Sequence, residues 1–158
     1  MEFLGLGDAL ALLGMGIMVG GSGYGSAIGL SSCGCAVIGL LKKRPEAFGS
    51  GLVLAAIPAT QGLYGFVGFI LCSDLVNKVP AGGNISIFNG SIVFGAGIAM
   101  ALVCYGSALW QSKILANGIA GIASGKNVFG QTMILAAFPE FYAILSLVTA
   151  ILMLAFAK

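Results

Sequence analysis

The residues best equipped for chemistry in this chain form a small, spatially related set. Glu140 sits inside "ILAAFPEFYAILSLV", residues 134–148, within an apolar run that extends from Val128 almost to residue 158. An ionised side chain at the centre of a membrane helix costs about 2.5–3.5 kcal/mol on insertion scales, so such a carboxylate usually faces a partner, a cavity or an ion path. The plainer alternative is a protonated structural glutamate hydrogen-bonded to a neighbouring helix. Thr60, Gln61, Tyr64 and Gln111 are the oxygen-bearing side chains available to it. Tyr64 follows Thr60 at i+4 and Gln61 at i+3, so the three share one helical face. Pro58 and Pro139 each remove a backbone donor and disturb the preceding turn, which makes a carbonyl such as that of Ile57 a further candidate oxygen ligand. Either proline also suits the commoner role of a packing kink. Carboxylate, hydroxyl, carboxamide and carbonyl oxygens together suit the binding of a hard cation or a proton.

The elements that hold these residues must be membrane helices. The 158 residues are 59% apolar and 8% charged, with 26 glycines, and the mean hydropathy is +1.08, outside the range of a soluble domain. A hydrocarbon core of about 30 Å needs roughly 20 helical residues to cross it. Four segments satisfy this, at about 9–41, 48–73, 85–123 and 128–157, separated by "KKRPEAFG", "SDLVNKVPAGGN" and "SGKN". The expected fold is all-α, with a first hairpin over residues 1–78 and a second over 79–158. Lys42, Lys43, Arg44 and Lys126 occupy the two short turns, whereas Lys78, Lys158, Glu2, Asp8 and Asp74 lie at the other ends. The positive-inside rule places both turns in the cytoplasm. The first span reads as a retained helix rather than a secretory leader, since acidic residues precede it and the run is too long.

An internal repeat at a constant offset of 81 residues organises the chain. "GMGIM" at 14–18 matches "GAGIA" at 95–99, "YGSAI" at 24–28 matches "YGSAL" at 105–109, and "LAAIPATQGLYGFV" at 54–67 matches "LAAFPEFYAILSLV" at 135–148. Two hairpins of the same topology follow, a parallel rather than an inverted repeat. Ala59 stands in the first hairpin where Glu140 stands in the second, so one carboxylate serves both halves. Helices three and four turn around residues 124–127, which puts Gln111 and Glu140 at nearly the same height, and the offset carries Thr60 and Gln61 to that level.

"PATQGLYGF" on the second helix, the glycine-rich first helix, the duplicated hairpin and the single glutamate in "FPEFYAIL" together resemble the proteolipid of V-type rotary ATPases, the c-ring protein, called K in sodium-pumping bacterial enzymes. The resemblance covers essentially the whole chain. It implies a homo-oligomeric ring in the membrane, each copy carrying one ion on its essential glutamate, turned past a stator channel by ATP hydrolysis in a separate soluble head. It implies that Glu140, Gln111, Thr60, Gln61 and the Ile57 carbonyl coordinate Na⁺, and that the Tyr64 hydroxyl holds the glutamate closed. Implied partners are the stator protein (a or I) with its essential arginine, central-stalk proteins at the cytoplasmic turns, and the lipid of what is expected to be a bacterial cell membrane. The first and third helices would form the inner circle, and Gly21, Gly25 and Gly29, spaced by four, would permit close helix approach. Tight packing inside a single chain explains the same spacing.

Two readings stay open on the ion. A proton carrier needs only a protected carboxylate, whereas sodium must exchange its hydration shell for several oxygens. A passive oligomeric pore fits less well, because a pore needs a polar stripe from face to face. Remaining signals are weak. "GSGYG" at 21–25 lies in a membrane segment with no strand before it, and Cys33, Cys35, Cys72 and Cys104 lack metal spacing. With no histidine, histidine-dependent nucleophilic catalysis is excluded. No catalytic residue and no nucleic-acid partner is expected. Lys113 is expected to snorkel toward the turn end or the ring lumen.

Overall fold

The computed structural model describes residues 5–79 and 83–157, and its described residues form an all-α bundle. Helix α1 spans Leu6–Leu41, and α2 spans Phe48–Ala56. A 3₁₀ turn at Ile57–Ala59 joins α2 to α3, Thr60–Asn77. Helix α4 spans Ile87–Ala123 and α5 spans Phe129–Leu154. With α2 and α3 counted as one interrupted span, four helical segments among the described residues are long and apolar enough to cross a membrane. Helices α1 and α4, with 36 and 37 residues, reach about 54–56 Å at 1.5 Å per residue, well beyond a hydrocarbon core of about 30 Å. Glu2, Lys158 and residues 80–82 of the middle loop lie outside the described residues.

Local chemistry explains where the helices start and stop. Helix α1 begins at Leu6 rather than near 9, because Asp8 is a first-turn capping residue rather than a flanking charge. Its carboxylate accepts from the Gly5 N–H at 2.9 Å and from the Ile85 N–H at 2.8 Å, tying the start of α1 to the segment entering α4. Ser86 caps α4 by accepting from the Asn89 N–H. At the other end of α4, Gly125 adopts φ +82°, and the Lys126 N–H bonds back to the Gly121 carbonyl, closing the helix with a left-handed glycine. The Arg44 guanidinium reaches the Ile122 carbonyl at 3.5 Å, so both short turns lie at one end of the bundle.

Helices α1 and α4 make the most intimate pair. A Cβ on Gly14 would stand 2.6 Å from the Phe94 Cα, one on Gly25 would stand 2.6 Å from the Tyr105 Cα, and one on Gly97 would meet the Gly14 carbonyl oxygen. Gly21 faces Ala101, while Gly29 lies between Pro58 and the Ala108 carbonyl. The four-residue glycine spacing therefore serves packing within the chain. "GSGYG" is plain helix inside α1. Cys33, Cys72 and Cys104 are buried packing residues, and Cys35 is exposed.

The Gly97→Ala variant should destabilise the bundle by about 1–3 kcal/mol, the range for overpacking a close contact. Gly39→Ala, at a site with open space around it, should be neutral or slightly stabilising. Unfolding in mixed detergent micelles, followed by circular dichroism, checks the pair.

Candidate ion-binding site

Pro58 and Pro139 occupy equivalent repeat positions but act differently. Pro58 breaks its span into the 3₁₀ turn at Ile57–Ala59, and α3 restarts at Thr60. The restart turns Thr60, Gln61 and Tyr64 inward on the first turns of α3. Pro139 lies within the continuous α5, one residue before Glu140. Facing them on α4 are Ser107 and Gln111, buried with Gln61 in the protein interior.

All of the side chains that the sequence singled out converge on Glu140. Its Oε2 accepts from Thr60 Oγ1 at 2.9 Å, Gln61 Nε2 at 3.0 Å and Gln111 Nε2 at 2.8 Å. Its Oε1 accepts from the Tyr64 hydroxyl at 2.6 Å. Polar partners thus reach both oxygens of the Glu140 carboxyl group. Gln61 Nε2 also lies 2.9 Å from Gln111 Oε1, linking the two amides.

The Thr60 hydroxyl has the most unusual surroundings. Its oxygen lies 3.0 Å from the Ile57 carbonyl, 3.3 Å from Gln61 Oε1 and 2.9 Å from Glu140 Oε2. A hydroxyl has one proton to donate, so three acceptors compete for it. The result is a cluster of four oxygens with more lone pairs than protons, beside a cavity of about 250 Å³ lined by Ile57, Thr60, Gln111, Met133, Ala136, Ala137 and Glu140. The Ile57 carbonyl is not bare, since it also accepts the Thr60 backbone N–H.

Three groups in the network were not anticipated. Ser107 Oγ accepts from Gln61 Nε2 at 3.0 Å and donates to the Pro139 carbonyl at 2.8 Å, and Gln111 Nε2 reaches the Ala136 carbonyl at 3.0 Å. Ser107 was visible in the duplicated "YGSA" motif. Its repeat mate Ser26 likewise bonds the proline-containing span of its own hairpin, accepting from the Gly62 N–H at 2.7 Å. Lys113 makes no contact with the cluster, because its ammonium lies 3.8 Å over the Trp110 ring.

The profile of the ATP synthase C-subunit family matches residues 13–72 and again 94–153, two intervals displaced by the same 81 residues as the repeat. The chain belongs to this family. It is 36% identical over 148 residues to the V-type sodium ATPase subunit K of Enterococcus hirae, covering 93% of this chain and 91% of that protein. It is 34% identical over 145 residues to the A-type ATP synthase subunit K of Methanocaldococcus jannaschii, covering 92% of this chain. The chain spans 61% of the length of that archaeal relative. Family membership accords with four apolar spans arranged as a duplicated hairpin in an integral membrane protein.

Tyr64→Phe removes only the hydroxyl that bonds Oε1 and should speed modification of Glu140 by a hydrophobic carbodiimide. Ser107→Ala strips a partner from a buried amide and should cost about 1–2 kcal/mol of stability. Labelling rates and detergent unfolding measure the two effects separately.

Proposed function

We propose that this chain is the ion-carrying rotor-ring subunit of a V- or A-type rotary ATPase, that its transported ion is Na⁺, and that Glu140 is the carrier group. The observation that carries the sodium reading is the proton-poor oxygen cluster at Thr60. A bound proton on Oε2 would turn one of the three acceptors around Thr60 into a donor and leave the other oxygens of the cluster to share what remains. A sodium ion held among these oxygens would take lone pairs from Glu140, Thr60, Gln61 and the Ile57 carbonyl together, and the Gln111 amide would complete the set by turning its oxygen inward. The Enterococcus relative, named as a sodium ATPase subunit, supports this choice.

The electrostatics of rotation follow from the same groups. With Na⁺ bound, Glu140 and the ion form a neutral pair that can face lipid. Once the ion leaves, the carboxylate is a bare charge that needs a fixed cation, the role that falls to the arginine of a stator subunit. Tyr64 holds Oε1 while the ion exchanges at Oε2. Lys42, Lys43, Arg44 and Lys126 place the turns in the cytoplasm, where they meet the central stalk, in what we take to be a bacterial cell membrane. ATP hydrolysis occurs in a separate soluble head.

A hydrophobic carbodiimide attacks a protonated carboxyl, so sodium occupancy should slow labelling of Glu140 at fixed pH. Gln61→Ala and Gln111→Ala should weaken that protection by about 1–3 kcal/mol each. Labelling that responds to pH and ignores sodium would assign the site to protons instead. Glu140→Gln keeps the volume and loses the charge. Its ring should still assemble, while ATP-driven ion uptake into vesicles should vanish, and retained coupled uptake would refute the carrier role.

A further inference from the structure

The Gln61 amide meets more acceptors than it has protons, and the excess shows which contact sets its orientation. Its Nε2 carries two protons and lies 2.9 Å from Gln111 Oε1, 3.0 Å from Glu140 Oε2 and 3.0 Å from Ser107 Oγ. Gln61 and Gln111 have no exposed surface and Ser107 is 7% exposed, so partners must come from the protein itself. The two ends of a carboxamide are nearly equal in size, and turning the group over exchanges Oε1 for Nε2 at almost the same volume. Shape alone therefore does not decide which end of Gln61 faces the Thr60 hydroxyl, where Oε1 lies at 3.3 Å. The protons of the neighbours decide it.

Ser107 has one proton, and it donates that proton to the Pro139 carbonyl at 2.8 Å. Toward Gln61 the hydroxyl can then only accept, so it requires the NH₂ end. Gln111 Oε1 and Glu140 Oε2 impose the same requirement, but both are oxygens that the sodium reading assigns to the ion. Ser107 Oγ is the one acceptor of the three that belongs to no ion ligand. It still holds the amide when the ion draws on Oε2 of Glu140 and the Gln111 oxygen has turned inward. The contact also joins α3 to the α5 backbone one residue before the carrier carboxylate.

We infer that Ser107 is a positioning residue for the transported cation: the chain of bonds from Gln61 Nε2 through the Ser107 hydroxyl to the Pro139 carbonyl keeps Oε1 of Gln61, rather than its N–H protons, toward the ion. The assignment rests on the sodium reading and adds to it a determinant outside the ligand set. Without the hydroxyl, the amide in the ion-bound state gains by turning over, because its protons then find the lone pairs of Thr60 Oγ1. A turned amide withdraws one oxygen from the cation and aims positive N–H dipoles at it.

The test uses sodium chloride to protect Glu140 from a hydrophobic carbodiimide in native membranes that hold the whole assembly. Ser107→Ala should raise the sodium concentration that halves labelling about tenfold, the effect of one lost buried polar partner. Ser107→Cys, similar in shape but a weak acceptor, should show the same direction of change, and it serves in place of an alanine chain that does not assemble. Ser107→Thr keeps the hydroxyl and should return protection toward that of the parent. The decisive background is Gln61→Ala: there, adding Ser107→Ala should shift the half-protecting concentration by less than about twofold, since the two removals share one interaction. A merely structural serine would add its full loss in that background. Parent-like protection in Ser107→Ala or Ser107→Cys, a tenfold loss that persists with Gln61→Ala, or a Ser107→Thr chain that unfolds like the parent yet protects no better than Ser107→Ala overturns the positioning role and leaves the sodium reading standing. Labelling of the parent chain that ignores sodium overturns both.

Discussion

A single carboxylate in the middle of a membrane bundle is the constraint on which the rest of this structure depends. Glu140 can remain there because four side chains from α3 and α4 donate to its two oxygens at 2.6–3.0 Å. No one helix could supply them, since side chains at the same depth on a helix point in different directions. The site therefore requires three helices rotated so that one face of each meets at one level. The interruption at Pro58 and the closely packed scaffold beneath it serve that requirement.

The scaffold is the α1–α4 pair. Glycines at Gly14, Gly25 and Gly97 bring the two backbones within contact distance, and dispersion across such an interface grows steeply as helices approach. Lipid offers no hydrophobic driving force between helices, so closeness and buried hydrogen bonds carry the association. The shorter spans, α2–α3 and α5, lean on this pair and bring the polar faces of α3 and α5 together. Ser26 and Ser107 fasten each proline-bearing span to its scaffold helix at the same repeat position, once by accepting from Gly62 and once by donating to Pro139.

Duplication followed by divergence gives the two halves different roles. At the 81-residue offset Ala59 corresponds to Glu140, and Thr60 and Gln61 correspond to Phe141 and Tyr142, so the carboxylate lies on one hairpin and the neutral polar side chains that donate to it lie on the other. The halves complement each other across α3, α4 and α5.

Much of this was legible from residues alone. Glu140 stood out because charge in hydrocarbon is costly. The 81-residue offset and the common turn put Gln111, Thr60 and Gln61 at its level by rise per residue, and composition dictated the helical spans. Depth along a helix is a one-dimensional quantity that sequence position determines. Rotation about each axis and the separation between axes are not, because they depend on how α1 and α4 interlock through their glycines. For that reason the reach of Ser107 to Gln61 and Pro139, the use of the Ala136 carbonyl by Gln111, and the crowding of three acceptors around the one proton of Thr60 emerged only from the tertiary structure. Hydrogen bonds tolerate errors of a few tenths of an ångström, and only the packed bundle sets distances that finely.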